Sequence, residues 1–170
     1  MKKLILFLLL IPILGFSQKR DSLVIKFPEK YHLTLKNNRE NAQQIFREWI
    51  PENQTWENYD IIFTQSIIKE GEFVSLAYYK ELLVNRLQQK TEGFKYTELE
   101  KKGDEMAGHL IFKCESDSIL GSDAKESQIY FLTKGKHFFF VNIIALKTSS
   151  LPKDFVEEWF TIFKQSNFLE

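Results

Sequence analysis

The sequence has a single cysteine, Cys114, so no disulfide can form within the chain. A fold without internal disulfides depends on its hydrophobic core, and 170 residues suffice to build one. Cys114 shares the alternation phase of Leu110 and Phe112 in an apolar segment. This pattern predicts a buried side chain rather than a reactive thiol.

Motifs for metal and cofactor binding are also missing. The three histidines, His32, His109 and His137, do not stand at the spacings of metal ligands, and neither HExxH nor CxxC occurs. The glycines are isolated and form no phosphate-binding loop. We therefore expect no cofactor and no metal, although a metal site assembled from distant positions stays open.

No nucleophile motif points to catalysis. A GxSxG elbow is absent. Catalytic carboxylate pairs are defined by a separation in space, which the sequence does not give. The sequence therefore predicts a protein that is not an enzyme. An envelope hydrolase with a site built from scattered residues is the least favoured of three functional hypotheses.

Neither sign of charge predominates, because 23 Lys and Arg accompany 23 Asp and Glu. Without a basic field, binding to nucleic acid or to anionic lipid is not expected. Long apolar runs are confined to the N-terminus. We thus expect no membrane anchor once that segment has been removed.

The N-terminal segment has the pattern of a secretory signal peptide. Lys2 and Lys3 precede an apolar run from Leu4 to Leu14, and Gly15-Phe16-Ser17 leads into polar residues. The run is shorter than the about 20 apolar residues of a membrane-spanning helix. We predict cleavage after Ser17 and export to the periplasm or the medium.

Two helices are predicted in the remaining chain. The first covers residues 75–90, with Ser75 as N-cap and Leu82 widening the apolar stripe. The second follows Pro152 and carries three aromatic residues on one side, namely Phe155, Trp159 and Phe163.

Apolar segments rich in β-branched and aromatic residues predict strands around these helices. They cover residues 23–27, 31–35, 44–50, 59–68, 94–99, 106–114, 128–133 and 136–146. The adjacent asparagines within residues 36–41 predict a turn, and Lys134-Gly135 predicts a tight hairpin. The segment 136–146 is apolar on both faces, which is typical of a central strand.

The order of elements predicts the fold class. Strands and helices do not alternate, so we expect an α+β fold, a mainly antiparallel β-sheet packed by two main helices. The predicted organisation is a signal peptide at 1–17, a flexible leader at 18–24 and a single α+β domain at 25–170.

One stretch stands out as a candidate binding surface. Residues 48–59 place Trp49, Trp56 and Tyr59 around a polar, amide-rich loop, which could stack a sugar or a peptide. The favoured alternative is that Trp49 packs inward while Trp56 and Tyr59 attach the loop to the sheet. If the loop binds a partner, the contact residues are Asn53, Gln54, Trp56 and Tyr59.

The same stretch carries a resemblance to a known family. The segment EWIPENQTWENY is followed by a strand, a helix, a meander of strands and a C-terminal helix with an aromatic stripe. This order is similar to the PsbP-like fold, which the extrinsic photosystem subunit shares with bacterial DcrB-like envelope proteins. The resemblance covers roughly residues 25–168 and implies an α/β/α sandwich with an accessory or binding role. It assigns no functional residue, and this chain lacks the lipid-attachment cysteine common in DcrB-like proteins.

The leading functional hypothesis is therefore a secreted or periplasmic, non-enzymatic accessory domain. Its partner would be an unknown protein or an envelope component. The alternative is a carrier that holds a small apolar ligand between sheet and helices, because the 16 phenylalanines could line a cavity. A filled aromatic core would explain the same residues.

Overall fold

The computed structural model describes residues 21–105 and 107–169. It contains a seven-stranded antiparallel sheet, two helices and two short strand pairs, so the predicted α+β class is confirmed. The predicted signal peptide and residues 18–20 of the predicted leader lie outside the described residues.

Eleven strands and two α-helices occur in the described ranges. The strands are β1 (Ser22–Val24), β2 (Leu33–Glu40), β3 (Gln44–Pro51), β4 (Ile61–Ile68), β5 (Thr91–Glu92), β6 (Lys95–Gly103), β7 (Gly108–Glu115), β8 (Ser118–Ile119), β9 (Ser127–Lys134), β10 (Phe139–Leu146) and β11 (Asn167–Leu169). The helices are α1 (Leu76–Gln88) and α2 (Lys153–Gln165). Across the large sheet the order is β2-β3-β4-β10-β9-β7-β6.

Strand β10 lies at the centre of this sheet, as its two-sided apolar sequence predicts. Successive side chains of a strand point to opposite faces. Phe140 and Ile144 therefore pack with the core beneath α2, whereas Phe139 and Val141 pack with the core beneath α1. The sheet thus lies between the two helices.

Helix α1 begins where the sequence predicts. The Ser75 hydroxyl accepts a hydrogen bond from the Tyr78 backbone N–H at 3.0 Å, which satisfies a free donor of the first turn. Leu76 is fully buried, and Leu83 packs against the same core. Leu82 is 51% exposed, so the prediction that it widens the inward stripe is wrong.

Helix α2 buries the aromatic stripe that the sequence predicts. Phe155, Trp159 and Phe163 are all buried against the sheet face opposite to α1. The Trp159 ring stacks on Phe63 of β4, with ring centroids 5.9 Å apart. This aromatic contact fixes the helix over the middle of the sheet.

The predicted turn at residues 36–41 is not formed. These residues continue β2 as far as Glu40, with an irregular register between Leu35 and Asn37. The reversal comes later, where the Asn41 side chain accepts hydrogen bonds from the backbone N–H groups of Gln43 and Gln44, both at 2.8 Å. Such an Asx turn explains the position of the hairpin.

The N-terminal boundary of the domain also differs from the prediction. Residues 22–24, assigned by sequence to a leader, pair with β11 and bury Leu23. The Asp21 carboxylate accepts hydrogen bonds from the backbone N–H groups of His137 and Phe138, at 2.6 and 3.2 Å.

The hairpin between β9 and β10 is longer than predicted. Its turn comprises the four residues 135–138, rather than the tight Lys134-Gly135 turn expected.

Cys114 is buried on β7, as predicted. Desolvation, helped by the neighbouring Glu115 charge, raises the pKa of its thiol to about 12. The thiolate is therefore scarce at neutral pH, which makes the side chain unreactive. Among the described residues, no helix has the length and apolar composition needed to cross a bilayer.

Candidate functional site

One half of the sheet face that carries α1 extends beyond the helix. Helix α1 packs over β7, β9 and β10, whereas β2 and β3 lie at the far side of the strand order. On this face, residues that are paired across neighbouring strands form a row perpendicular to the strands. The row starts beneath α1 with Tyr130 of β9 and runs through Ile143 of β10, Thr64 of β4 and Glu48 of β3 to Asn37 of β2. The polar end of this row is therefore on the same face as α1 but outside its contact area.

A loop at residues 52–60 joins β3 to β4 beside this polar area, and Tyr59 is its anchor. The Tyr59 ring packs against Ile50 and Ile62, and the Lys147 ammonium lies 3.9 Å from the ring centroid. Burial is the main cause that raises the pKa of the Tyr59 hydroxyl. Tyr59 therefore attaches the loop to the sheet, as the favoured alternative predicts.

The loop also holds itself together through side-chain hydrogen bonds. The side-chain amide oxygen of Asn58 accepts a hydrogen bond from the Thr55 backbone N–H at 2.7 Å. The side-chain amide oxygen of Gln54 accepts a hydrogen bond from the Asp60 backbone N–H at 3.1 Å. The backbone on both sides of Trp56 is thus fixed by local contacts.

The two tryptophans of the segment lie in different environments. Trp49 packs inward against Phe27 and Phe63, with ring centroids 5.6 and 5.5 Å away. Trp56 remains 44% exposed and meets Tyr59 edge-to-face at 6.3 Å. The inward position of Trp49 follows the favoured alternative, while Trp56 keeps much of its ring available to a ligand.

Trp56 lines a solvent-open depression of about 450 Å³. Its lining combines three charged side chains, one amide and three apolar or aromatic residues, namely Lys36, Arg39, Glu48, Asn37, Trp56, Tyr59 and Ile62.

The polar side chains of the depression are linked in a chain of hydrogen bonds. The Asn37 amide donates to the Glu48 carboxylate at 2.7 Å. The Arg39 guanidinium donates a hydrogen bond to the side-chain amide oxygen of Asn37 at 3.0 Å. Each planar group is thereby oriented by its neighbour, and each keeps further donors or acceptors for a ligand.

The four residues predicted from sequence do not share one concave surface. Trp56 and Tyr59 line the depression just described. Asn53 and Gln54 line a second open depression, together with Lys30 and His32. The Gln54 amide is already engaged within the loop. The sequence analysis did not identify Asn37 and Arg39 as site residues, because it assigned both to a turn.

Neither a protein-family model nor a curated protein matches this chain. The geometry of the site is therefore the basis for assigning a function.

Other carboxylates with several polar partners lie where α2 meets the sheet. Glu100 pairs with Lys164 of α2 and His109 of β7, both at 2.8 Å, and these bonds lower the pKa of its carboxyl group. Glu158 of α2 accepts from Tyr31 at 2.6 Å. These pairs join β6 to α2 and to β7, and they join α2 to the turn at residues 29–31. In the part of the chain that the structure describes, no cluster of His, Cys, Asp and Glu suits a metal ion.

Apolar and aromatic side chains pack between α1 and the sheet. Phe112 and Tyr130 stack there with ring centroids 4.6 Å apart. A cavity of about 10 Å³ near Leu87 and Cys114 has room for one water at most. An open depression of about 310 Å³ also lies beside α1, where Val84, Phe94 and Tyr96 contribute to its lining. The carrier hypothesis therefore stays a prediction.

Proposed function

We propose that this protein is an exported accessory domain that binds a protein or an envelope component through the Trp56 surface. The Trp56 surface is defined as Asn37, Arg39, Glu48, Trp56 and Tyr59. The observation that carries the proposal is the exposed Trp56 ring, which Tyr59 supports beside a polar sheet area that α1 leaves free.

The physical argument concerns the cost of ordering a contact residue. A tryptophan has two side-chain torsions and a large amphipathic ring, so it offers much contact area for little lost entropy. Here the loop is already held by Tyr59, Asn58 and Gln54. A preformed surface of this kind loses less free energy to ordering when it binds.

Two further considerations support an accessory role outside the cytoplasm. The signal-peptide pattern of residues 1–17 predicts export. The resemblance of residues 25–168 to PsbP-like proteins, which are mostly accessory or binding proteins, points the same way and is itself part of the proposal.

We expect Trp56→Ala to weaken capture of the partner from solubilised envelope fractions by about tenfold or more, as removal of a contact hot spot does. The melting temperature should change by less than about 2 °C, because the ring contributes little to the core. Capture is measured with the immobilised protein, and stability is measured by thermal denaturation monitored by circular dichroism.

Tyr78→Ala is the matched control, because Tyr78 is 65% exposed on α1 and lies apart from the Trp56 surface. It should leave capture unchanged. Equal capture by Trp56→Ala and the wild-type protein would reject the proposal. A loss of several kcal/mol of stability in Trp56→Ala would instead assign this ring to the core.

A further inference from the structure

The Trp56 surface presents polar side chains rather than free backbone groups. Strand β3 is paired on both sides, with β2 and β4, and β4 is paired on both sides, with β3 and β10. Their N–H and C=O groups are therefore used within the sheet. An extended peptide that adds a strand needs a free strand edge. Among the described strands, β2 offers one on its outer side, whereas the polar side chains of the Trp56 surface project from the face of the sheet.

The side chains that are available have a different chemistry. Glu48 contributes carboxylate oxygens that accept hydrogen bonds, Arg39 contributes guanidinium donors, and Asn37 contributes both kinds of group. A sugar hydroxyl is at once a donor and an acceptor. Neighbouring hydroxyls of a pyranose ring can therefore bridge a carboxylate and an adjacent guanidinium or amide.

The exposed ring completes this arrangement. One face of a pyranose is lined with C–H groups, which pack against the flat face of an indole. The Trp56 and Tyr59 rings meet edge-to-face at an interplanar angle of 82°, and Trp56 is 44% exposed. An apolar platform beside oriented planar polar groups matches the two faces of a sugar.

We infer that the ligand of the Trp56 surface is a glycan of the cell envelope whose sugars carry vicinal hydroxyls. This inference rests on the proposed function and specifies the chemical class of the partner. One sugar unit stacks on Trp56 while its hydroxyls bind Glu48, Asn37 and Arg39. The mixed charges of Arg39 and Glu48 suit neutral or weakly charged sugars better than a polyanion such as nucleic acid.

The test is a sedimentation assay with envelope material from cells that express the full chain. The purified protein is mixed with delipidated envelope that is untreated, protease-digested, or oxidised with periodate, which cleaves vicinal diols of sugars. The inference predicts binding to untreated and protease-digested material, and loss of binding after periodate. It also predicts that Trp56→Ala lowers the affinity for protease-digested material by about tenfold or more.

Glu48→Gln provides a second variant that acts on the polar part of the surface. It keeps the shape of the side chain and replaces a carboxylate oxygen by an amide donor, so hydroxyl recognition should weaken while the fold is retained. Phe73→Ala is the control, because Phe73 is exposed and belongs to a turn outside this surface. It should bind like the wild-type protein.

The outcomes separate the two proposals. Binding that survives periodate and disappears after protease digestion overturns the glycan inference, and its dependence on Trp56 would leave the proposed binding function standing. Binding to none of the three materials overturns the glycan inference. Glycan binding that is unaffected by Trp56→Ala and Glu48→Gln also overturns the inference, because the ligand would then lie elsewhere.

Discussion

Replacing Trp159 by alanine should lower the free energy of unfolding by about 3–5 kcal/mol, the usual cost of truncating a buried tryptophan. Trp159 is fully buried, and its ring stacks on Phe63 and on Tyr31 at 5.9 and 6.0 Å. Removing it leaves a cavity at the point where α2 meets both β4 and the turn at residues 29–31. Urea denaturation at neutral pH measures the change.

Two variants sharpen this result. Phe73→Ala removes an exposed ring and should change stability by less than about 0.5 kcal/mol. Trp159→Phe should cost clearly less than Trp159→Ala, because the Trp159 indole N–H has no hydrogen-bond partner within the described residues and phenylalanine keeps part of the ring volume. A loss below about 1 kcal/mol in Trp159→Ala would contradict the position of this ring in the core.

Glu115→Gln should destabilise the protein by about 1–3 kcal/mol at pH 7, the cost of disrupting a buried charged hydrogen-bond network. The buried Glu115 carboxylate accepts from the Leu151 backbone N–H at 2.8 Å and from the Ser150 hydroxyl at 3.0 Å. It also pairs with the Lys113 ammonium. These bonds join β7 to the loop that leads into α2, so their loss loosens the start of the helix.

The effect should depend on pH in a defined direction. Burial alone would raise the pKa of Glu115, but the bonds from Lys113, Leu151 and Ser150 outweigh it and hold the pKa below its ordinary value. The stabilisation is therefore present above the unfolded-state pKa of about 4.3 and is lost as the pH falls through the folded-state value. The stability difference between the wild-type protein and Glu115→Gln should be largest near pH 7 and shrink below about pH 4.

Denaturation curves collected between pH 3 and pH 7 provide the measurement. Glu81→Gln, an exposed position on α1, is the control and should differ from the wild-type protein by less than about 0.5 kcal/mol throughout. A difference for Glu115→Gln that stays constant over this range would contradict the role assigned to the ionised carboxylate.

The helices and the central strand could be predicted because local patterns determine them. Ser75 caps α1 through its own hydroxyl, and the spacing of Phe155, Trp159 and Phe163 places all three on one side of α2. The two-sided apolar sequence of β10 likewise fits only a strand covered on both faces. These features need no information from distant parts of the chain.

The errors arise where tertiary contacts override local preference. Residues 36–40 have low intrinsic strand propensity, yet pairing with β3 makes them part of β2. The irregular register after Leu35 also breaks the alternation of apolar and polar residues by which a strand is recognised in a sequence. The short β1 depends on β11, which is far away in sequence. Leu82 extends a plausible apolar stripe but faces away from the sheet.

The candidate site could be predicted only in part for the same reason. The tryptophan-rich loop is continuous in sequence, so Trp56 and Tyr59 could be recognised. Asn37, Arg39 and Glu48 come together through the register of β2 on β3. Asn53 is close to Trp56 in sequence but lines the other depression.

Contact between the Trp56 surface and the cell envelope is best tested by photo-crosslinking in intact cells. The probe p-benzoylphenylalanine replaces Lys36, which is exposed and lines the same depression while leaving Trp56 in place, and in a parallel strain it replaces Phe73. We expect crosslinked species of higher mass at position 36 and none at position 73. No crosslinked species at position 36, or species at position 73 alone, would refute the proposed contact.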